Sequence, residues 1–457
     1  MTPRASRLAL AALALALYAA LCLAIWLRER RRHRTAADEA DALSAVRSGE
    51  APIIVAHASQ TGHAESLARE TARVLHAAGS AVRLLPLNTL DHAQLARARC
   101  TLFVASTYGE GDAPDNAADF WQRCQRAGGA ALAHLHYGVL ALGDREYARF
   151  CGFGQALDHW LRAAGATPLF ERIDMDNGDA AALRAWQQGL SLIAQTGPGT
   201  AWTGDAPFMP WTLVDRRVIN PDSVGAPIVH LSLQAPGMTA WEPGDLAELR
   251  IPADPRHPRS YSIASVMQDG RLELLVRVAR RPDGSPGLAS RWLAEELAVG
   301  ASVALRLRAH SAFRLGDNAT RPILFIGNGT GLAGLRGHLR ARAVARTGPS
   351  WLVFGERQAA HDFLCEGELR AWLASGALQR LDTAFSRDQP ERIYVQHRLD
   401  EAAGEVRDWV RRRGGAIYVC GSLNGMAQGV DAALRRILGN DGLAALAREG
   451  RYRRDVY

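Results

Sequence analysis

Between Ile53 and Ala164 short apolar runs alternate with Ala/Leu-rich stretches of helical period, and the same alternation returns after Pro322. A strand, a helix and another strand in succession pack as a parallel βαβ unit, because parallel neighbours need a crossover and the crossover helix covers the sheet. In the first block strands are expected at Ile53 to Ala56, Thr101 to Ala105 and Gly138 to Leu142, and helices at Ser66 to Ala78, Ala117 to Ala127 and Gly154 to Ala164. The last block places strands at Ile323 to Ile326, Trp351 to Phe354 and Ile417 to Cys420. Between the blocks, Ile228 to Leu233, Leu246 to Arg250, Tyr261 to Ala264, Leu272 to Val278 and Ser302 to Arg308 have the turn-punctuated spacing of a small antiparallel barrel. The expected order is an α/β domain over 53–194, an antiparallel β-barrel over 211–320 and a second α/β domain over 321–457, with linkers at 35–52 and 195–210.

Leu8 to Leu27 is a run of 20 residues without a charge. As a helix it would extend ~30 Å, the thickness of a bilayer's hydrocarbon core. Trp26 stands where an interfacial aromatic belongs, and Arg28-Glu29-Arg30-Arg31-Arg32-His33-Arg34 follows at once. The basic flank predicts a single-pass anchor over 1–34 in the inner (cytoplasmic) membrane, with everything after it on the cytoplasmic side. The formal charge of the 457-residue chain is +7, and residues 1–34 alone contribute seven Arg and one Glu, so the body is close to neutral. That distribution suits phospholipid headgroups and sets nucleic acid aside. The six cysteines include no CxxC pair and no cluster of metal-ligand spacing, so no metal site is expected.

The strand ends of the first block carry three loops. Ser59-Gln60-Thr61-Gly62-His63-Ala64 leads directly into a helix, where hydroxyls, backbone N–H groups and the helix dipole can hold a phosphate dianion. Ser106-Thr107-Tyr108-Gly109-Glu110-Gly111 and Leu142-Gly143-Asp144 with Tyr147 each offer an aromatic beside glycines, which suits a flat ring held between two tyrosines. Ligands of open parallel sheets lie at these carboxyl ends.

In the barrel, Arg259-Ser260-Tyr261-Ser262 pairs a guanidinium able to grip a diphosphate with a ring able to pack on a flavin, and Gly287-Leu288-Ala289-Ser290 offers amides at a helix start. Beyond it, Gly327-Asn328-Gly329-Thr330-Gly331 is a glycine turn that admits a dinucleotide pyrophosphate. Ser386, Arg387, Arg392, Tyr394 and Gln396 gather two guanidiniums, a hydroxyl and a phenol, expected along one strand edge. Such a set suits the 2′-phosphate of NADPH rather than a bare ribose hydroxyl.

From Ile53 to Tyr457 these motifs resemble, in content and order, the diflavin reductases, which include the sulfite reductase flavoprotein subunit and the microsomal NADPH–haemoprotein reductases. The resemblance implies a flavodoxin-like FMN domain, a ferredoxin-reductase-type FAD barrel and an NADP-binding domain. It implies that Ser59 to Ala64 hold the FMN phosphate, that Tyr108 and Tyr147 flank its ring, and that Tyr457 covers FAD until nicotinamide displaces it. Ser262, Cys420 and Asp455 would be the group at the hydride-transfer site. Departures are a proline missing at Asn328 and another at Gly334, both expected to loosen the glycine turn, and an acid missing at Gly429. Only 13 residues separate Asp245 from Arg259, so the family's helical connecting insert is absent. The implied activity is NADPH-driven transfer through FAD and FMN to a haem or metal protein, with sulfite reductase haemoprotein as one candidate. Two alternatives stand beside it: a reductase of quinones or ferric chelates, and a non-catalytic flavin-binding sensor.

Overall fold

A computed structural model of the chain describes residues 51–457 apart from 110, 127–131, 146–148, 195–205, 236, 238 and 282–283. The apolar run Leu8 to Leu27 lies outside the described residues, and among these no helix is long and apolar enough to cross a membrane.

The first sheet is parallel, in the order β2-β1-β3-β4-β5 with β6 also on β4. Its strands are β1 (Ile53–Ala58), β2 (Val82–Pro86), β3 (Cys100–Ser106), β4 (His136–Gly143), β5 (Thr167–Pro168) and β6 (Ile173–Asp176). Side chains alternate across a strand, so near-continuous apolar runs supply both faces. Phe103, Val139 and Ala141 pack on Phe120, Phe153 and Leu157, while Val55, Leu102, Val104 and Leu140 pack on Leu67, Leu75 and Trp186. Trp186, fully buried, donates its Nε1–H to Thr71 Oγ1 at 2.9 Å and so carries no unsatisfied donor into that core.

Six antiparallel strands follow, in the order β10-β9-β12-β7-β8-β11. They are β7 (Met209–Val218), β8 (Ile228–Gln234), β9 (Leu246–Ile251), β10 (Asp254–Ser262), β11 (Leu272–Arg277) and β12 (Ser302–Arg308). The path bends round until its ends meet, where Ala264 N donates to Glu273 O at 2.8 Å just past β10. The interior is filled by Trp211, Leu231, Leu249, Leu274 and Leu305 with Leu293 from the segment after Gly287. Strand β7 has no counterpart in the sequence-based expectation. Pro210 and the run Asp215-Arg216-Arg217 mask it, and a bulge between Leu213 and Asp215 breaks its alternation.

The last sheet is parallel, β15-β14-β13-β16-β17, built from β13 (Ile323–Asn328), β14 (Ser350–Glu356), β15 (Arg380–Phe385), β16 (Ala416–Gly421) and β17 (Tyr452–Val456). Residues 452–456 form an edge strand rather than a frayed tail, with Ile417 opposite Tyr452 and Gly421 opposite Val456. Their composition, Tyr-Arg-Arg-Asp-Val, hides the strand from any hydropathy pattern.

The barrel and the last sheet are tied by charge. Glu273 on β11 accepts from Arg336 Nη1 at 2.5 Å and Arg340 Nη1 at 3.3 Å, both from the helix Leu332–Ala345, and faces His230 Nε2 at 3.3 Å. Burial alone would raise the Glu273 carboxyl, but His230 and Arg336 outweigh it and hold the group at about 2, below its ordinary 4.5. A depressed carboxylate stabilises the fold above its unfolded pKa and loses that contribution as pH falls through the folded one. Acid titration should therefore cost on the order of 3 kcal/mol between about pH 4.5 and 2 from this site. Glu273→Gln should flatten that segment of a denaturation-versus-pH curve and lower stability at pH 7.

Candidate active site

The described loops singled out in the sequence fall at carboxyl ends of strands or at the barrel rim, and those at Gln60 and Tyr108 meet the barrel and the last domain. At the end of β1 the chain turns through Gly62 (φ +84°) into the helix His63–Ala77. Ser59 N donates to Asn116 Oδ1 at 2.8 Å, while Ser59 Oγ is buried without a protein partner. A buried orphan hydroxyl at a helix start is what a phosphate oxygen would satisfy. Ala64 is fully buried beneath the loop.

Gln60 is committed elsewhere. Its Oε1 accepts from Asp115 N at 3.1 Å, its Nε2 reaches Arg454 O at 3.4 Å, and its carbonyl takes the His310 Nε2 contact at 2.8 Å. In the second loop Thr107 Oγ1 accepts from Phe153 N at 3.3 Å, and Tyr108 and Asp112 close a tight bridge around Gly109 (φ +51°) and Gly111 (φ +118°). Tyr108 donates its hydroxyl to Val456 O at 3.3 Å and packs against the core of the last domain. The third loop leaves β4 through Leu142 and Gly143, where a Cβ would lie 2.6 Å from Cys151 N. Asp144 follows directly, whereas Glu110 and Tyr147 lie outside the described residues.

The barrel rim and the last sheet enclose a cavity of about 1090 Å³. Single small-molecule pockets run to ~300–1,000 Å³. Arg259, Ser260, Tyr261 and Ser262 from β10, Gly287 to Ser290, the turn at Gly329 and Thr330, and Ser386, Arg387, Tyr394, Gln396 and Tyr457 all line it, and Thr61 reaches it from the first domain. Arg259 is steadied by its Nη1 bond to His257 O at 2.9 Å. Ser290 Oγ is used within the fold, accepting from Ala279 N at 2.9 Å beside a helix of only four residues, Leu288–Arg291.

Arg392 is exposed and lies outside the residues lining the cavity. One expectation needs correction. The 386–396 stretch is not one strand edge: β15 ends at Phe385 and Tyr394 opens the helix Val395–Glu401, so Ser386 and Gln396 approach the cavity from two elements. Cys420, at 0% exposure, does not line the cavity but sits behind it.

The charged centre is on β17. Asp455 Oδ2 accepts from Ser262 Oγ at 2.7 Å and from Cys420 Sγ at 3.6 Å. Burial, followed by the Asp455 charge, pushes the Cys420 thiol well above its ordinary range, so it serves as a neutral donor rather than a thiolate. Tyr457 is 58% exposed at the cavity mouth; its hydroxyl meets Thr330 Oγ1 at 3.2 Å and its N–H bonds Gly421 O at 3.0 Å. Where Gly334 stands, a Cβ would meet Cys420 Sγ and Phe313 at 3.3 Å and Ser262 Cβ at 3.4 Å, so the small residue permits close packing. At Gly429 the space is filled by the Gln396 carboxamide, which a Cβ would meet at 2.8 Å.

Sequence reasoning passed over Arg277, Arg281 and Arg357, all on the cavity wall. Arg277, at the end of β11, pairs with Glu356 at the end of β14, while its Nη1 is buried without a partner. Burial, with Arg357 beside it, lowers Arg277 to about 10, so it remains a cation at neutral pH. An unsatisfied guanidinium nitrogen next to a glycine turn fits a diphosphate. Its position ten residues before Gly287, at a strand's end, was the available signal.

Comparison with known proteins agrees with this architecture. A flavodoxin family model matches residues 55–186, and an oxidoreductase NAD-binding domain model matches residues 325–432. A flavodoxin domain joined through a barrel to such a domain is the arrangement of a flavoprotein oxidoreductase, and over most of its length the chain is similar to NADPH-dependent diflavin reductases. It is similar to the sulfite reductase [NADPH] flavoprotein alpha-component of Vibrio parahaemolyticus, at 29% identity over 92% of this chain and 88% of that one. The proteins of the same name from Aliivibrio fischeri and Bacillus subtilis are 28% and 26% identical, covering 92% and 93% of this chain and 91% and 93% of theirs. The first match extends over 555 aligned positions although this chain has 457 residues, in keeping with a compact form that lacks an insert.

Proposed function

We propose that the chain is a membrane-tethered NADPH-dependent diflavin reductase that delivers electrons singly to a haem or metal protein. The cofactors are FMN, FAD and NADPH; bound together, they convert a two-electron hydride donor into a one-electron source. The observation that carries the reading is the Ser262–Asp455 pair, which lies between the barrel's flavin-type motif and the glycine turn in one cavity. Arg259 and the amides at Gly287 to Ser290 would hold the FAD diphosphate, with Tyr261 and Tyr457 against its ring. Thr330, Arg277, Ser386, Arg387, Tyr394 and Gln396 would hold NADPH, with Ser386 and Arg387 at its 2′-phosphate. The Ser59 loop would hold the FMN phosphate, and Tyr108 one side of its ring.

The first domain's cofactor loops face inward. Besides the Tyr108 and Gln60 contacts, Arg454 grips Asp115 through two bonds, one of them Nε to Oδ2 at 2.8 Å, and Ser311 Oγ donates to Glu65 Oε2 at 2.5 Å. This is the arrangement for loading FMN, and delivery to a protein requires these contacts to release. Asp115→Asn is expected to slow FMN reduction about tenfold, as loss of a close interfacial charge pair does, and to leave NADPH-driven FAD reduction unchanged in stopped-flow absorbance. Added salt should act in the same direction.

The function is tested by releasing and assaying the flavins, then measuring NADPH-driven reduction of a haem protein with and without residues 51–194. One FMN and one FAD per chain, with haem reduction lost on truncation, is the expected result. Quinone or ferric-chelate reduction that survives truncation would favour the small-acceptor reading. The tether rests on the apolar run and its basic flank; full-length chain should sediment with vesicles containing anionic lipid, and residues 35–457 should not.

A further inference from the structure

We infer that the Asn328 side chain is a positioning clamp that holds the strand end Gly421–Ser422 against the glycine turn and so aligns the nicotinamide side of the cavity. The inference rests on the NADPH reading above.

β13 and β16 are parallel neighbours whose pairing ends at Gly327 opposite Cys420. Beyond that point the backbones part: Asn328 pairs with Gly355 on the other side, and β16 turns through Gly421 into Ser422. The Asn328 carboxamide spans the gap. Its Oδ1 accepts from Ser422 N at 3.0 Å and its Nδ2 donates to Ser422 Oγ at 3.1 Å, extending the ladder by one rung through a side chain. Proline, the family's residue there, has no such group. The neighbouring backbone is shaped to it: Gly421 has φ +142°, and a Cβ on it would lie 2.2 Å from Asn328 Oδ1. Where the proline is missing, the carboxamide thus ties the turn to its neighbour.

What hangs on Ser422 gives the clamp its importance. Leu423 N donates to Tyr457 O at 2.8 Å, and Tyr457 N donates to Gly421 O at 3.0 Å. Asn328 thus fixes the segment that carries both the cavity wall at Ser422 and the ring of Tyr457, while Cys420 and Asp455 lie two residues further back on β16 and β17. The 2′-phosphate group of residues, just after β15 and at the start of the helix Val395–Glu401, makes no hydrogen bond to Asn328 or Ser422 among the described residues.

The test uses the full chain loaded with both flavins, comparing Asn328→Ala and Asn328→Asp with wild type. Three readouts are taken: amide exchange over 421–427, affinity for adenosine 2′,5′-bisphosphate, and single-turnover flavin reduction by NADPH. For the alanine variant, exchange over 421–427 should rise and reduction should slow by about tenfold to a hundredfold, the range for a misplacement near 1 Å. Bisphosphate affinity should stay within about twofold, because its contacts lie elsewhere. Aspartate keeps an acceptor for Ser422 N and should recover most of the exchange protection and the rate. Unchanged exchange and rate in Asn328→Ala, or bisphosphate affinity falling in step with the rate, overturns the inference. A wild-type chain that NADPH fails to reduce overturns the NADPH reading instead, whatever the variants do.

Discussion

Asp455→Ala should lower the rate of NADPH-driven flavin reduction by about 10²–10³-fold, the effect of removing one preorganised group from a transition-state site. The carboxylate organises two donors from different elements, the Ser262 hydroxyl at 2.7 Å and the Cys420 thiol at 3.6 Å. Without it, both donors lose their acceptor and the Ser262 hydroxyl is free to rotate. Asp455→Asn keeps the shape and one acceptor oxygen but removes the charge, so it should fall between wild type and alanine. Flavin content and reduction by dithionite should be unchanged, since Arg259 is steadied by His257 and the Ser59 loop by Asn116, both away from Asp455. Ser262→Ala should cost a similar factor and be non-additive with Asp455→Ala, because the two act as one unit. Cys420→Ala, acting from behind the wall, should cost less than either.

Gly331→Ala should destabilise the last domain by about 3 kcal/mol and abolish NADPH-driven reduction. A Cβ there would lie 2.1 Å from Cys420 O, 2.5 Å from its carbonyl carbon and 2.6 Å from Gly421 Cα. All three are backbone atoms of β16, so no rotamer relieves the clash, and the turn must separate from the strand that leads to Ser422. Gly367→Ala is the control: nothing lies within 4 Å of its added Cβ, and in the helix Glu366–Ser375 alanine should be neutral or stabilising by up to about 1 kcal/mol. Urea melts of the two variants check both signs.

The central strands β1, β3, β4, β13, β14 and β16 are legible in the amino-acid sequence because they are buried on both faces and therefore continuously apolar. Edge strands are not. β2 contains Arg83 and Pro86, β15 contains Arg380 and Asp382, and β17 is mostly charged, so each forms through pairing with a neighbour rather than through its own hydropathy. Motifs local in sequence, such as 59–64, 259–262 and 327–331, can be recognised from their residues alone. Relationships across long separations cannot: Arg277 with Glu356, Asn328 with Ser422, and Arg454 with Asp115, 339 residues apart, exist only once the sheets are assembled. The Asn328 carboxamide is such a case, since the partner it bonds, Ser422, lies 94 residues away.

The reductase reading is tested most directly by anaerobic single-turnover mixing of the purified chain, with FMN and FAD bound, against NADPH and NADH in parallel. The 2′-phosphate contacts assigned to Ser386 and Arg387 predict reduction of both flavins by NADPH at a rate at least about tenfold above NADH. Equal rates with the two nucleotides would contradict the assignment of that end of the cavity, and flavins untouched by either would contradict the reductase itself.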